Sequence, residues 1–403
     1  MNKILDQQGF QCLNEKDNWQ LEQGKKYYVI RNDASLIAFV KGDPKRGFRM
    51  VGAHTDSPCL KVKPQPETNK EGYLQLGVEV YGGALLNPWF DRDLSLAGRI
   101  QYLDNKGMIK NHLIDFRKAI AIIPSLAIHL DREANKSRSI NPQTDIPPVL
   151  CQWDNDKKPD FKTFIEKQLI AEGCTECEKV MDYDLRYYDT QAPAIIGMKE
   201  EFIASARLDN LLSCFVGLQS LIHCQASSDT SLLVCNDHEE VGSQSATGAQ
   251  GPFLKTVLER IAGHNKLDTL IPRSLLISTD NAHAVHPNFP DRHEGNHRPS
   301  LNKGTVIKVN ANQRYATTDE TSSLFQWLCR QCNTQAQYFV TRTDLACGST
   351  IGPLTSGEIG VRTLDIGLPT FGMHSIRELA GVKDAKELSD ILYYFFNTDI
   401  LPL

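Results

Sequence analysis

LDNLLSCFVGLQSLIHC (208–224) followed by SLLVCNDHEE (231–240) is the stretch whose reading decides the fold. Apolar residues recur at helical spacing from Leu211 to Ile222, and Asp209 stands just ahead of them as an N-cap candidate. SLLVCN (231–236) is a short apolar run of strand length that ends on polar residues, with Glu239 and Glu240 just beyond. The same rhythm continues downstream. Helix FLKTVLERI (253–261) leads to strand SLLIST (274–279), and strand TVIKVN (305–310) to helix SSLFQWLCRQC (322–332). Strands QYFVT (337–341) and VRTLDIG (361–367) follow, with a closing helix from about Asp384 to Phe396. Alternating strands and helices predict an α/β fold, a mostly parallel sheet with helices on both faces.

Upstream, KYYVIRNDASLIAFVKG (26–42) reads as two strands joined by an Asn-Asp turn, and FRMVGA (48–53) as a strand stopping at His54. YLQLGVEVY (73–81) alternates as a half-exposed strand should. From about Asp93 to Ser205 short strand-like pieces (LAGRIQYLD, MIKNHLIDF, AIAII) surround a polar stretch, with a helix at Phe161 to Glu172. The expected organisation is therefore a discontinuous domain, 1–92 and 206–403, carrying an inserted β-rich module at 93–205.

Composition excludes several classes. The 403 residues are 41% hydrophobic and 23% charged, an ordinary globular balance, and the net charge of -5 without a basic block argues against nucleic acid. The most apolar stretch, Ala119 to Leu130, is broken at Pro124 and Ser125 and is too short to span a bilayer. With no signal-peptide pattern at the N-terminus, a cytoplasmic location is expected. Eleven cysteines, an odd number scattered through a long chain, are thiol usage of a reducing compartment. The C-x-x-C pairs Cys174/Cys177 and Cys329/Cys332 are read as core cysteines, because the two pairs are too far apart in sequence for a zinc ribbon.

Potential metal ligands stand just past predicted strand ends: His54 and Asp56 after FRMVGA, Glu239 and Glu240 after SLLVCN, Asp280 after SLLIST, and His374 beyond VRTLDIGLPTFGM. Open α/β sheets bind ligands at those ends. Imidazole and carboxylate suit zinc, and two metals about 3.5–4 Å apart can share a carboxylate and a water. His54, Asp209, Glu240, Asp280 and His374 supply such a set, with Asp209 bridging, Asp56 orienting the His54 imidazole and Glu239 left over to move protons. Each piece alone has an ordinary reading: a turn His-x-Asp, a solvated Glu-Glu face, a helix cap, a loop histidine. The string His293-Glu294-Gly295-Asn296-His297 imitates the helical H-E-x-x-H motif, but Gly295, Pro290 and Pro299 make it a loop.

The segments GAHTDSPCLKVKP (52–64), WFDRDLSLAGR (89–99), ARLDNL (206–211), NDHEEVGS (236–243), STDNAHAVHPN (278–288), HRPSLNKG (297–304), IKVNANQRYAT (307–317), CGSTIGP (347–353) and MHSIRE (373–378) together resemble the aspartyl aminopeptidase family, in order over nearly the whole chain. The resemblance implies a zinc-peptidase-like α/β/α sandwich and two zinc ions per chain, positions that manganese or cobalt can also fill. It implies removal of an acidic N-terminal residue from peptides with a free N-terminus. By motif, His54 and Asp280 hold one metal, Glu240 and His374 the other, and Asp209 bridges. Glu239 is the general base, Asp56 supports His54, and Lys308 and Tyr315 hold substrate. The ordinary reading of Lys308 is a strand-edge cap. The inserted module resembles the family's dimerisation domain, its SLAIHLDR segment placing His129 to complete a neighbouring subunit's site, with dimers assembling to a dodecamer. A helix and a Ser-Pro-Thr-Pro-Phe-His stretch of the family have no counterpart ahead of Gly9, so a member with a short N-terminus is expected. The rival expectations are an aminopeptidase of broader preference, a non-catalytic assembly or peptide-binding member, and a di-zinc deacylase or carboxypeptidase.

Overall fold

The computed structural model describes residues 1–153, 160–225 and 228–402. These divide into two compact units, one of Met1–Ser57, Ala194–Met373 and Glu378–Leu403, the other of Pro58–Pro193 with His374–Arg377. The second unit begins earlier than the change of sequence texture at Asp93. The reason lies in pairing: strands Cys59–Lys70 and Tyr73–Tyr81 join Leu94–Asp104, Ile109–Asp115, Val149–Gln152 and Cys177–Asp189 in one six-stranded sheet. Alternation along 73–81 marks a strand but not which sheet receives it.

The first unit is built on a nine-stranded sheet, and its order explains the site. The strands run Gln11–Cys12, Lys26–Arg31, Ser35–Val40, Thr230–Asn236, Phe48–His54, Leu275–Thr279, Arg362–Gly367, Val306–Lys308 and Gln337–Phe339. The central four, from Thr230–Asn236 to Arg362–Gly367, are parallel, while Ser35–Val40 and Val306–Lys308 pair antiparallel on either side. The sheet is therefore mixed, with a parallel centre. The Asn-Asp turn forms as expected, Asn32 and Asp33 both at φ 54°, where Asn and Asp are tolerated.

Side chains alternate across this sheet with period two. Val51, Ala53, Leu233, Cys235, Leu275 and Ile277 join a core with helices Leu208–Ile222, Asp319–Gln331 and Val382–Asn397. Phe48, Met50, Leu232, Val234 and Leu276 face the opposite core, against Phe253–Ala262 and Leu267–Leu270. The unit is thus an α/β/α sandwich. The closing helix shows why: Leu388, Ile391, Leu392, Phe395 and Phe396 recur on one face and are all buried. Each contributes about 1.5–3 kcal/mol by leaving water. In the second unit the helix Phe161–Ala171 buries Phe161, Ile165 and Leu169, and the Asp160 carboxylate caps it by accepting the Lys162 N–H. Among the described residues no helix is long and apolar enough to cross a membrane.

Candidate metal centre

Register brings the site together. Asn236 lies opposite His54, and Ser278 opposite Gly52, so three neighbouring parallel strands end at one level. His54 is the last residue of its strand, Asp280 follows Thr279 directly, and the turn carrying Glu239 and Glu240 follows Asn236. Gly367 permits the approach of the next strand: a Cβ there would lie 1.9 Å from the Asp280 carbonyl oxygen.

His54 is buried at the centre. Its Nε2 lies 3.4 Å from Asp209 Oδ1, 3.4 Å from Asp280 Oδ1 and 3.9 Å from Glu239 Oε2. Its Nδ1 lies 3.1 Å from the Asp56 carbonyl and 3.4 Å from Asp56 Oδ1. The Asp56 carboxylate also accepts the main-chain N–H groups of Glu239 and Glu240, each at 3.1 Å. The short 3-10 turn Glu239–Val241 is framed by His238 and Gly242, both left-handed.

Asp209 departs from the helix-cap expectation. Arg207 occupies the N-cap position, Asp209 falls in the first turn with non-helical backbone angles, and no side chain caps the helix. Its main-chain N–H donates to Glu378 Oε2 at 2.7 Å, and its carbonyl accepts the Ser57 hydroxyl at 2.7 Å. These contacts turn its carboxylate toward His54.

Electrostatics follow from crowding acids around one imidazole. Burial lowers the His54 pKa, but hydrogen bonds to Asp209, Asp280 and Asp56 outweigh it and hold the ring well above the ordinary histidine range. Burial pushes the Glu239 carboxyl up to about 7; the His54 charge opposes this, and Asp280, Asp209 and Asp56 reinforce it. So many buried acids call for a cation. His54, Asp209 and Asp280 each offer one ligand atom within 4.8 Å of the others, as do His54, Glu239 and Glu240. Asp209 and Glu240 likewise present oxygens within 4.8 Å of each other, so Asp209 stands between two groups of donors. Imidazole and carboxylate at such spacing suit zinc.

Lys308 is buried in its strand rather than capping an edge. Its ammonium donates to the Asn281 carbonyl at 2.8 Å, lies 3.5 Å from Asp280 Oδ2, and sits 5.3 Å from the Tyr315 ring centroid. Tyr315 packs with Ala282, Val306 and Phe339, and burial, with Cys347 next to it, keeps its hydroxyl protonated far above the ordinary range.

Comparison with known proteins is decided by one match: residues 1–396 fit the family model described as aminopeptidase I zinc metalloprotease (M18). The chain belongs to the M18 family of metallo-aminopeptidases. It is 56% identical over 404 residues to a protein named probable M18 family aminopeptidase 2 from Stutzerimonas stutzeri strain A1501, covering 99% of this chain and 94% of that one. Among solved structures it resembles a chain of the cryo-EM structure of the Ape4 and Nbr1 complex, with TM-score 0.94 and 38% identity, covering 98% of this chain and 81% of that one. It also resembles the S. cerevisiae mApe1 dodecamer, with TM-score 0.84 and 30% identity, over 98% of this chain and 91% of that one. The resemblance to the aspartyl aminopeptidase family is borne out. The aminopeptidase is accordingly a hydrolase of peptide bonds.

Two expected residues of this aminopeptidase lie in the second unit. His374 has its Nδ1 3.1 Å from the Gly83 carbonyl, and its own carbonyl accepts the Leu85 N–H at 3.0 Å. His129 lies on an exposed turn flanked by exposed Leu126, Ile128 and Leu130. The H-E-x-x-H imitation is a loop, as read: Glu294 Oε2 pairs with His297 Nδ1 at 2.6 Å, while His293 Nε2 accepts the His286 N–H at 3.1 Å. Cys174 and Cys329 are core residues, and all eleven cysteines are free thiols.

Sequence reasoning missed three residues of the site. Glu378 anchors Asp209; Cys214 donates to the His54 carbonyl at 3.0 Å; and buried Asp365 accepts the Ala316 N–H at 2.6 Å and the Thr350 hydroxyl at 2.7 Å, steadying the segment after Tyr315. Glu378 and Asp365 stand inside or beside quoted motifs, yet an acid at a strand position carries no local sign of its partner.

Proposed function

We propose that this M18 enzyme removes an acidic residue, aspartate or glutamate, from the free N-terminus of peptides, using two zinc ions per chain. In this reading His54 and Asp280 would hold one ion and Glu240 and His374 the other, with Asp209 offering a carboxylate to both. Zinc, when bound, supplies Lewis acidity toward the attacking water and the scissile carbonyl. Glu239 takes the proton of the attacking water and delivers it to the leaving amine. Asp56 orients His54 and holds the Glu239-Glu240 turn. Lys308 and Tyr315 form the wall that meets the N-terminal side chain.

The acidic preference rests on one observation above all: a buried lysine ammonium 3.5 Å from Asp280 Oδ2, beside the metal donors. A carboxylate is its natural counter-ion there. The same geometry favours a second reading, an aminopeptidase of broader preference, because Asp280 and the Asn281 carbonyl already engage that ammonium. A panel of one peptide with Asp, Glu, Leu or Lys at the N-terminus, and with blocked amines, separates the two. An acidic preference dependent on a free amine supports the first; equal turnover of Leu and Asp peptides replaces it with the second.

The unit Pro58–Pro193 serves, in this reading, as a dimerisation module, with dimers building a dodecamer and His129 reaching a neighbouring subunit's site. The exposed run Leu126, Ile128 and Leu130 around His129 supports this, since such apolar patches mark protein contacts. Light scattering of the purified protein tests it. Eleven free thiols support a cytoplasmic location.

A further inference from the structure

The strands that deliver the metal donors begin at a second cavity. Phe48–His54, Leu275–Thr279 and Arg362–Gly367 are neighbouring parallel strands, and Leu275 pairs with Arg49 on one side and with Arg362 on the other. Cross-strand partners share a face of the sheet, so these two arginines flank Leu275. A cavity of about 450 Å³ opens there, and its charged lining is Arg46, Arg49, Arg273, Arg362, Asp229 and Asp399. That volume suits a small molecule. Five residues of extended chain separate Arg49 from His54, about 17 Å at roughly 3.3 Å per residue. The cavity therefore lies at the opposite end of the sheet from the metal donors.

Positive charge is in excess. Arg49, buried, donates from Nε to Asp229 Oδ2 at 3.0 Å, and Arg46 donates from Nε to Asp229 Oδ1 at 3.3 Å. One carboxylate thus serves two guanidiniums. Both also donate to the Asp399 carbonyl, and Arg49 to that of Phe395 at 2.8 Å. Fastening the segment after the closing helix accounts for this pair. It does not account for Arg273, whose Nη1 donates to the Lys45 carbonyl at 3.1 Å and which has no carboxylate partner among the described residues. Gly47 admits the Arg273 backbone, since a Cβ there would run into the Arg273 carbonyl. Arg273 is thereby packed on the residue next to Arg46. Arg362 meets Glu320, from outside the cavity, at 3.0 Å. Even with Glu320 counted, four guanidiniums face three carboxylates. Guanidinium forks gathered on one concavity match the tetrahedral oxygens of a phosphate.

We propose that this cavity is a second ligand site, taking a small phosphate-bearing anion between Arg46, Arg273 and Arg362 at the strand starts. The anion neutralises the excess charge and bridges the strand starts to the segment Asp399–Leu401, which lines the same cavity. The site is separate from the metal centre and takes no part in peptide hydrolysis.

The test uses the full-length, zinc-loaded protein, with inorganic phosphate and adenosine monophosphate as probes and sodium chloride at matched ionic strength as control. Saturable binding of one anion per chain is expected by calorimetry, with a thermal midpoint that rises with probe concentration. Tighter binding of the nucleotide assigns the site to an organic phosphate, and equal or tighter binding of phosphate to the inorganic ion. Arg273→Gln and Arg46→Gln, both at exposed side chains, should each weaken binding about tenfold, the effect of one lost hydrogen bond to a charged group. Turnover of a peptide in phosphate-free buffer should be unchanged in both. Hydrogen exchange of the amides of residues 398–401 should slow with probe in the wild type and not in the variants. No saturable binding beyond the chloride control overturns the proposal. So does binding that both variants retain in full, which would place the anion at the metal centre instead.

Discussion

The Asp56 carboxylate accepts the main-chain N–H of Glu239 at 3.1 Å through Oδ1, while its Oδ2 accepts that of Glu240 at the same distance. One side chain thereby orients an imidazole and sets the turn that carries two further acids. Replacing it disturbs both. Asp56→Ala is expected to weaken metal binding about 10–100-fold, the usual cost of losing such outer support, and to lower turnover in step. Metal titration by competition with a chelating dye checks this; unchanged affinity would show that the turn holds itself.

Glu239→Gln separates metal holding from proton transfer. The amide keeps the size of the side chain but accepts no proton. Turnover should fall about 10²–10⁴-fold, the range for a lost general base, with zinc content unchanged by elemental analysis. Retained turnover would move the base to another residue.

The acids and imidazole make the metal-free protein sensitive to pH. The Glu239 carboxyl stands raised from 4.5 to about 7 in the fold. Its neutral form is favoured there, so its contribution to stability falls as pH rises from 4.5 to 7. His54 is held above its ordinary 6.5, so its contribution is present below 6.5 and is lost as pH climbs through the raised value. Both signs agree: after chelation, the thermal midpoint should drop with rising pH. Added zinc should restore it, and more strongly at higher pH, as donors shed protons. A flat profile for the chelated protein would contradict this balance.

Lys308→Met keeps an aliphatic stem of similar length and removes the charge. The loss in kcat/KM for an Asp peptide is expected to exceed that for a Leu peptide about tenfold, as for one charge-assisted hydrogen bond. Equal losses would mean that Lys308 acts chiefly through Asp280, 3.5 Å away.

Asp365→Ala removes the acceptor shared by Ala316 and Thr350. Unpairing these buried donors should cost about 1–3 kcal/mol, read by chemical denaturation. Because Ala316 follows Tyr315, KM should rise more than kcat falls. A stability loss with KM unchanged would confine Asp365 to the core.

Much of this was legible in the chain. Short apolar runs marked the strands 26–31, 35–40, 48–54 and 230–236, because a sheet covered on both faces selects apolar residues throughout, and helical spacing marked the helices packed on them, because burial of one face selects apolar residues at fixed intervals. Ligand types after strand ends named His54, Asp280, Glu239 and Glu240, since parallel strands in register deliver their ends to one level. Other features had no local sign. Asp209 looks like a cap in sequence, and its main chain is held by Glu378, 169 residues away, and by Ser57, 152 residues away. Asp56 reaches Glu239 across 183 residues, Lys308 finds Asp280 across the intervening strand Arg362–Gly367, and strands 59–70 and 73–81 join the second unit's sheet. The sequence by itself determined which residues are apolar, which can bind metal and where each strand stops, because those depend on residue type and short-range period. Tertiary structure decided which acid meets which donor, because a hydrogen bond between distant segments depends on how strands are ordered, and that order is written in no single stretch of the chain.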